Sequence, residues 1–339
     1  MKTIKILFLT LITLAIASCE KDEVELYNSA DLRAPIVQKE KKGFYPPNKS
    51  VSLKFNRFTK EDQMGRFAAT EMVEFHSKIW SVGGYLHNRS YPHQANGVWS
   101  STNGYNWRSE VFNAFDSRVG HTLTVFDNKM WVIGGVNNAG HQLSDVWYSS
   151  DGLHWTLATN TAAFGVAVGH NTIVFKGRMF VFKKRDIWSS SDGINWSLEA
   201  SDICTTREYT DLVVFKDKMY LIGGEHRAAT FFNEIYVSDN GSDWSLQSTA
   251  PPIFQGISRF STAVYKDKVW VIGGNTVTGF DSDEIWYSED MKNWCKYGGT
   301  VPLTRISSHA SLVFRSQIMV FGGFDSYGMS GSIWSVRQY

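Results

Sequence analysis

The chain is short of the residues that staple a fold together. Its 339 residues include three cysteines and seven prolines. That is too few cysteines for the disulfide framework of a small secreted scaffold. Basic and acidic residues nearly cancel, 34 Lys and Arg against 33 Asp and Glu, for a formal charge of +1. The basic surplus that nucleic-acid binding needs first is therefore missing, and no nucleic-acid partner is expected. The chain is instead rich in aromatic residues and glycine, with 13 Trp, 14 Tyr, 22 Phe and 28 Gly, and these recur at regular spacing.

Three landmarks repeat in a fixed order. An alternating apolar run ends in two glycines: KIWSVGG at Gly84, KMWVIGG at Gly135, KMYLIGG at Gly224, KVWVIGG at Gly274 and QIMVFGG at Gly323. A short segment then carries an aromatic residue at Trp99, Trp147, Trp188, Tyr236, Trp286 and Trp334. A turn closes the unit, as in SSDGLHW (149–155) and SSDGINW (190–196), with a worn copy SEDMKNW ending at Trp294. Another apolar run precedes each first landmark. Period-two alternation marks strands with two distinct faces, and Asn-Gly or Asp-Gly pairs mark hairpin turns. Each unit therefore reads as four short antiparallel strands. Units of about fifty residues cannot bury their own faces and must stack around an axis.

The expected fold class is all-β: a six-bladed β-propeller of four-stranded blades. The last unit stops after its third strand, so VSLKF at Val51 to Phe55 is expected to supply the fourth and close the ring, removing open sheet edges. From the double glycines, strand aromatics and spacing, the stretch 51–339 resembles the kelch-type propellers, whose superfamily includes the central domain of galactose oxidase. The repeated turn is similar to the Asp-box hairpin of sialidases, with one residue fewer between Asp and Trp. It is expected to be scaffolding.

The first residues, MKTIKILFLTLITLAIASC, have a basic start, an apolar stretch too short for an ordinary membrane span, and small residues before Cys19. This is the pattern of a secretory signal over 1–18, and IASC resembles a lipobox, which makes Cys19 the expected lipidated residue. The acidic run after it resembles the surface-export signal of Bacteroidota lipoproteins. Residues 19–50 are polar and charged and read as a flexible tether. The expectation is a lipid-anchored monomer on the outer membrane, facing outward. Cys204 and Cys295 occupy different repeat positions, so no disulfide is expected between them.

All thirteen tryptophans are absorbed by repeat positions, which leaves none for a sugar-binding platform. The variable loops between second and third strands are the expected site. They include Tyr85 to Asn96, the stretch from Val136, Glu225 to Asn233, the stretch from Asn275, and Phe324 to Gly331. Blade three has Lys183, Lys184 and Arg185 where the double glycine should stand, and almost no loop, which reads either as a deletion capped by a solvated basic cluster or as a basic notch in the rim. Arginines recur ahead of first strands at Arg66, Arg118, Arg207, Arg259 and Arg305. Arginines at such positions can hydrogen-bond neighbouring carbonyls between blades; turned instead into the central mouth, Arg118, Arg207 and Arg305 would contact an anionic ligand, with Tyr85, Glu225, His226, Arg227 and Tyr327 as loop contacts.

The expected function is non-catalytic binding of an extracellular glycan or glycoprotein, with no metal and no cofactor. A copper site of the galactose oxidase kind is not assembled by these residues. Two alternatives stand beside binding. One is a sugar isomerase similar to the kelch-related sialic acid mutarotase, for which Glu225 and Arg227 would be the reacting pair. The other is a protein-interaction subunit of an outer-membrane complex.

Overall fold

The computed structural model describes residues 51–58, 64–87, 92–247, 254–278 and 281–339. The leader, Cys19 and the tether lie outside them. The described residues form six four-stranded antiparallel sheets. Blade one, from the axis outward, is Glu71–Phe75, Lys78–Val82, Val98–Ser101 and Arg108–Val111. Blades two to five repeat that order, with innermost strands Thr122–Phe126, Asn171–Phe175, Asp211–Phe215 and Ser261–Tyr265. Blade six starts at Ala310–Phe314 and continues through Gln317–Phe321 to Ile333–Gln338. Its outermost strand is Leu53–Phe58, paired antiparallel from Leu53 opposite Gln338 to Phe58 opposite Ile333. The ring is closed by a strand from the N-terminal side, and the six innermost strands touch one another in one unbroken cycle.

The core consists of six layers, each filled from two neighbouring blades. Between blades one and two, Phe75, Trp80 and Val82 meet Leu123, Met130 and Val132. Between blades four and five, Phe215, Tyr220 and Ile222 meet Val269, Val271 and Trp286. Each fully buried side chain of this size contributes about 1.5–3 kcal/mol, so neither sheet of a pair is stable without the other.

The repeated turn locks each blade to the one before it. Ser149 Oγ accepts the backbone N–H groups of Asp151 and Gly152, and Asp151 Oδ1 accepts those of Leu153 and His154. Gly152 thereby lies flat on the indole of Trp80 in blade one, and Gly193 lies likewise on Trp131. Trp80, Trp131 and Trp270 each donate their indole N–H to a backbone carbonyl five residues earlier. SSDGLHW is scaffolding, as the sequence predicts.

The double glycine closes blades at the axial end. Gly134 has φ of +59°, and a Cβ there would stand 2.6 Å from the carbonyl of Ala167 in the next blade's lead-in. Backbone passes so close that only glycine fits. In blade three, Arg178–Lys183 and Asp186–Ser190 are joined directly through Lys184 and Arg185. Cys204 and Cys295 are free thiols. No helix among the described residues is long and apolar enough to cross a membrane.

Candidate functional site

One backbone ring organises the loop face. Ala69, Gly120, Gly169, Tyr209, Arg259 and Ser308 occupy equivalent positions, two residues before each innermost strand begins. All six have φ between +50° and +62°. Their peptides chain together, with Gly169 N–H donating to Gly120 O, Tyr209 to Gly169, Arg259 to Tyr209, Ser308 to Arg259 and Ala69 to Ser308. Four of the six side chains are small or absent. Tyr209 and Arg259 alone put bulk at the rim of the axis, next to each other on blades four and five.

Arg259 is held from two sides. Its Nη2 donates to Glu225 Oε1 at 2.7 Å, and its guanidinium lies 3.7 Å from the centre of the Tyr209 ring. Glu225 is 4% exposed and also accepts from the hydroxyl of Ser258. Arg259 keeps 29% of its side chain open to solvent, so it is a fixed cation presented at the mouth. Glu208 stands beside this pair, its carboxyl pushed up by burial and by the charge of Glu225, with Lys184 and Arg259 opposing. Burial likewise raises the phenol of Tyr209. His226 adjoins Glu225 in the short hairpin of Glu225–His226 with Thr230–Phe231, and Arg227 at its tip is exposed.

The structure corrects the placement of Arg118 and Arg207. Each is two residues before the ring position, which turns the side chain inward beneath the loops. Arg118 Nη1 donates to Gly134 O at 2.9 Å and to Asp145 Oδ1 at 2.8 Å, Nη2 donates to Asp145 Oδ2 at 2.9 Å, and Nε donates to Asp116 O at 3.2 Å. Arg207 repeats the arrangement with Gly223 O, Glu234 Oε2 and Thr205 O. Both side chains are fully buried and electrically satisfied, so they clamp strands and offer no contact to an anion. Arg66 and Arg305, three residues before the ring, are exposed, and Arg305 lies within electrostatic reach of Asp281.

The remaining expected contacts divide between two sides of the face. Glu225, His226 and Arg227 share the blade-four rim with Tyr209 and Arg259. Tyr85 sits across the ring, its ring centre 6.4 Å from that of Phe324, and Tyr327 is 88% exposed on the blade-six hairpin. Glu225 and Arg227 belong to one hairpin, but the partner of Glu225 is Arg259. The basic notch is partly neutralised, because Lys183 donates to Phe164 O and Arg185 pairs with Asp202. Lys184 remains facing Glu208.

Tyr209 and Arg259 are the site residues that sequence reading passed over. The signal was present in spacing: counted from the first strand, Arg259 is out of register with Arg118 and Arg207.

The ring of radial four-stranded sheets defines a β-propeller. A kelch motif matches residues 117–148, the first three strands of blade two with their lead-in. Among solved structures, that of YjhT is similar, with a TM-score of 0.65 over 80% of this chain and 97% of that one at 14% identity. At that identity the likeness speaks for the fold. No curated protein matches the chain. Sheets and structural likeness together describe a β-propeller, with a kelch motif in blade two.

Proposed function

We propose that this propeller is a cell-surface binding protein, anchored through a lipid on Cys19 and taking an acidic glycan or glycoprotein on its loop face. The observation that carries the reading is the Tyr209–Arg259–Glu225 arrangement at the mouth. A guanidinium fixed by a buried carboxylate and an aromatic face is preorganised for a carboxylate or sulfate, and its orientation costs little further entropy on binding. Tyr209 is the support on which Arg259 stacks, with Lys184, His226 and Arg227 around the pair. The test is a glycan array probed with the full chain and with Arg259→Ala. Selective binding of acidic glycans, lost in the variant, supports the reading. Silence from folded wild-type protein turns it toward a protein partner.

A second reading, sugar isomerisation, draws on Glu208. A carboxyl raised by burial beside a fixed arginine is a plausible acid or base for opening a sugar ring. NMR exchange between anomers of a bound acidic sugar separates the two: a rate equal to the uncatalysed one removes the isomerase.

A further inference from the structure

We propose a second binding site, for an uncharged sugar ring, in the cleft between blades one and two. The cleft has a volume of about 590 Å³ and is lined by Asn96, Asn113, Phe115, Asp116, Ser117, Asp145 and Trp147. That volume lies within the range of small-ligand pockets. The cleft lies away from the Tyr209–Arg259 rim and does not depend on it.

Its floor is fixed from beneath. Asp145 receives both guanidinium ends of Arg118 and also accepts the indole N–H of Trp147 at 2.7 Å. The buried arginine therefore spends the charge of Asp145 and holds Trp147 in one orientation. Phe115 packs its ring against Arg118, Trp155 and Trp147, the last with ring centroids 6.1 Å apart, so Phe115 and the half-buried Trp147 together form the apolar side of the cleft.

The wall is made of groups that both give and take hydrogen bonds. Asn96 Nδ2 donates to Asn113 Oδ1 at 2.8 Å. This bond orients the two amides and leaves Asn113's amide N–H groups and Asn96's carbonyl for a ligand. Ser117 adds a hydroxyl, and exposed Asp116 an acceptor. Mixed donors and acceptors around an aromatic face match ring hydroxyls, each of which is itself donor and acceptor. The carboxylate at Asp116 works against an anion.

The repeats supply an internal control. In blade four the equivalent arginine, Arg207, is covered by Phe232 at 3.8 Å. In blade five the equivalent pair, Glu284 and Trp286, is engaged by Lys296; Phe254 packs on Trp286 as Phe115 packs on Trp147, but Trp286 is 4% exposed whereas Trp147 is half-buried. The clamp is common to the fold. The open cleft with its two asparagines above it belongs to blade two.

The test is saturation-transfer NMR on the full chain with methyl α-glucoside, methyl α-mannoside, methyl β-galactoside and their neutral tetrasaccharides. Transfer to ring C–H protons is expected for at least one of them. It should fall about tenfold in affinity in the surface double variant Asn113→Ala, Asp116→Lys, whose melting temperature should match wild type. Arg259→Ala should bind these sugars normally, which separates this site from the rim. The proposal is overturned if no sugar shows transfer, if the double variant binds as well as wild type, or if tetramethylammonium binds the cleft and the sugars do not.

Discussion

Gly152 has no room for even a methyl group. A Cβ there would stand 2.2 Å from the Trp80 ring, whereas at Gly177, with nearly the same positive φ, it would meet nothing within 4 Å. Alanine at either position would bear the backbone penalty for a left-handed residue, on the order of 1–2 kcal/mol. Only Gly152→Ala must also push a buried indole off its seat. Urea unfolding should show Gly152→Ala losing at least about 2 kcal/mol more than Gly177→Ala. Equal losses would mean that the hairpin is not wedged against the neighbouring blade. The same scale explains why the site was only half legible in sequence. Five arginines before first strands look alike as letters, yet a shift of two residues decides whether one is buried as a clamp, like Arg118, or presented at the rim, like Arg259. The positive-φ ring that sets this register involves Ala, Gly, Tyr, Arg and Ser, and no residue type announces it.

The strand Leu53–Phe58 is the element on which closure rests. It covers the edge of Ile333–Gln338, and Leu53 and Phe55 pack into the layer with Tyr297 and Ile285. Without it blade six has three strands and an open edge, a template for association with other chains. A chain beginning at residue 59 should melt earlier and run as aggregates in size-exclusion chromatography, and a synthetic peptide of residues 51–58 added in trans should restore the monomeric peak. A monomeric truncated chain of unchanged melting temperature would refute the role. This element could be read from sequence because its need was countable: six third-strand aromatics, and a last unit lacking its fourth strand. The cleft beside Trp147 could not be read that way. Trp147 occupies a repeat position like its counterparts, and what distinguishes it from buried Trp286 comes from other segments, Asn96 and Asn113 above the one and Lys296 on the carboxylate beside the other.

Across the whole ring, titratable groups of two kinds, buried histidines and half-buried acids, pull stability in opposite directions with pH. His121 and His170 are held down to about 3 and His309 to about 4, mainly by burial. The unfolded chain takes up these protons first, so their contribution is complete above about pH 6.5 and is lost as pH falls toward 3. Glu71 and Asp211 hold equivalent places on blades one and four, opposite each other across the axis. Burial raises Glu71 to about 8, helped by the charge of Asp211, and raises Asp211 to about 6. For these the folded state holds the proton, so their contribution is lost as pH rises, through about 6 for Asp211 and about 8 for Glu71. As pH rises from 6.5 toward 8 the histidines become neutral in the unfolded state as well, and the decline there belongs chiefly to Glu71. Denaturation from pH 4 to 9 should therefore give a maximum on the mildly acidic side, and Glu71→Gln should flatten the alkaline limb. An unchanged slope in that variant would assign the limb to other groups.

The closing strand also decides how the molecule carries load. A pull directed along Leu53–Phe58 would run across the hydrogen bonds that join it to Ile333–Gln338. Such bonds must shear together and cannot unzip one at a time. The same six residues that complete blade six thus form a mechanical clasp, and detachment under tension would cost the whole strand at once.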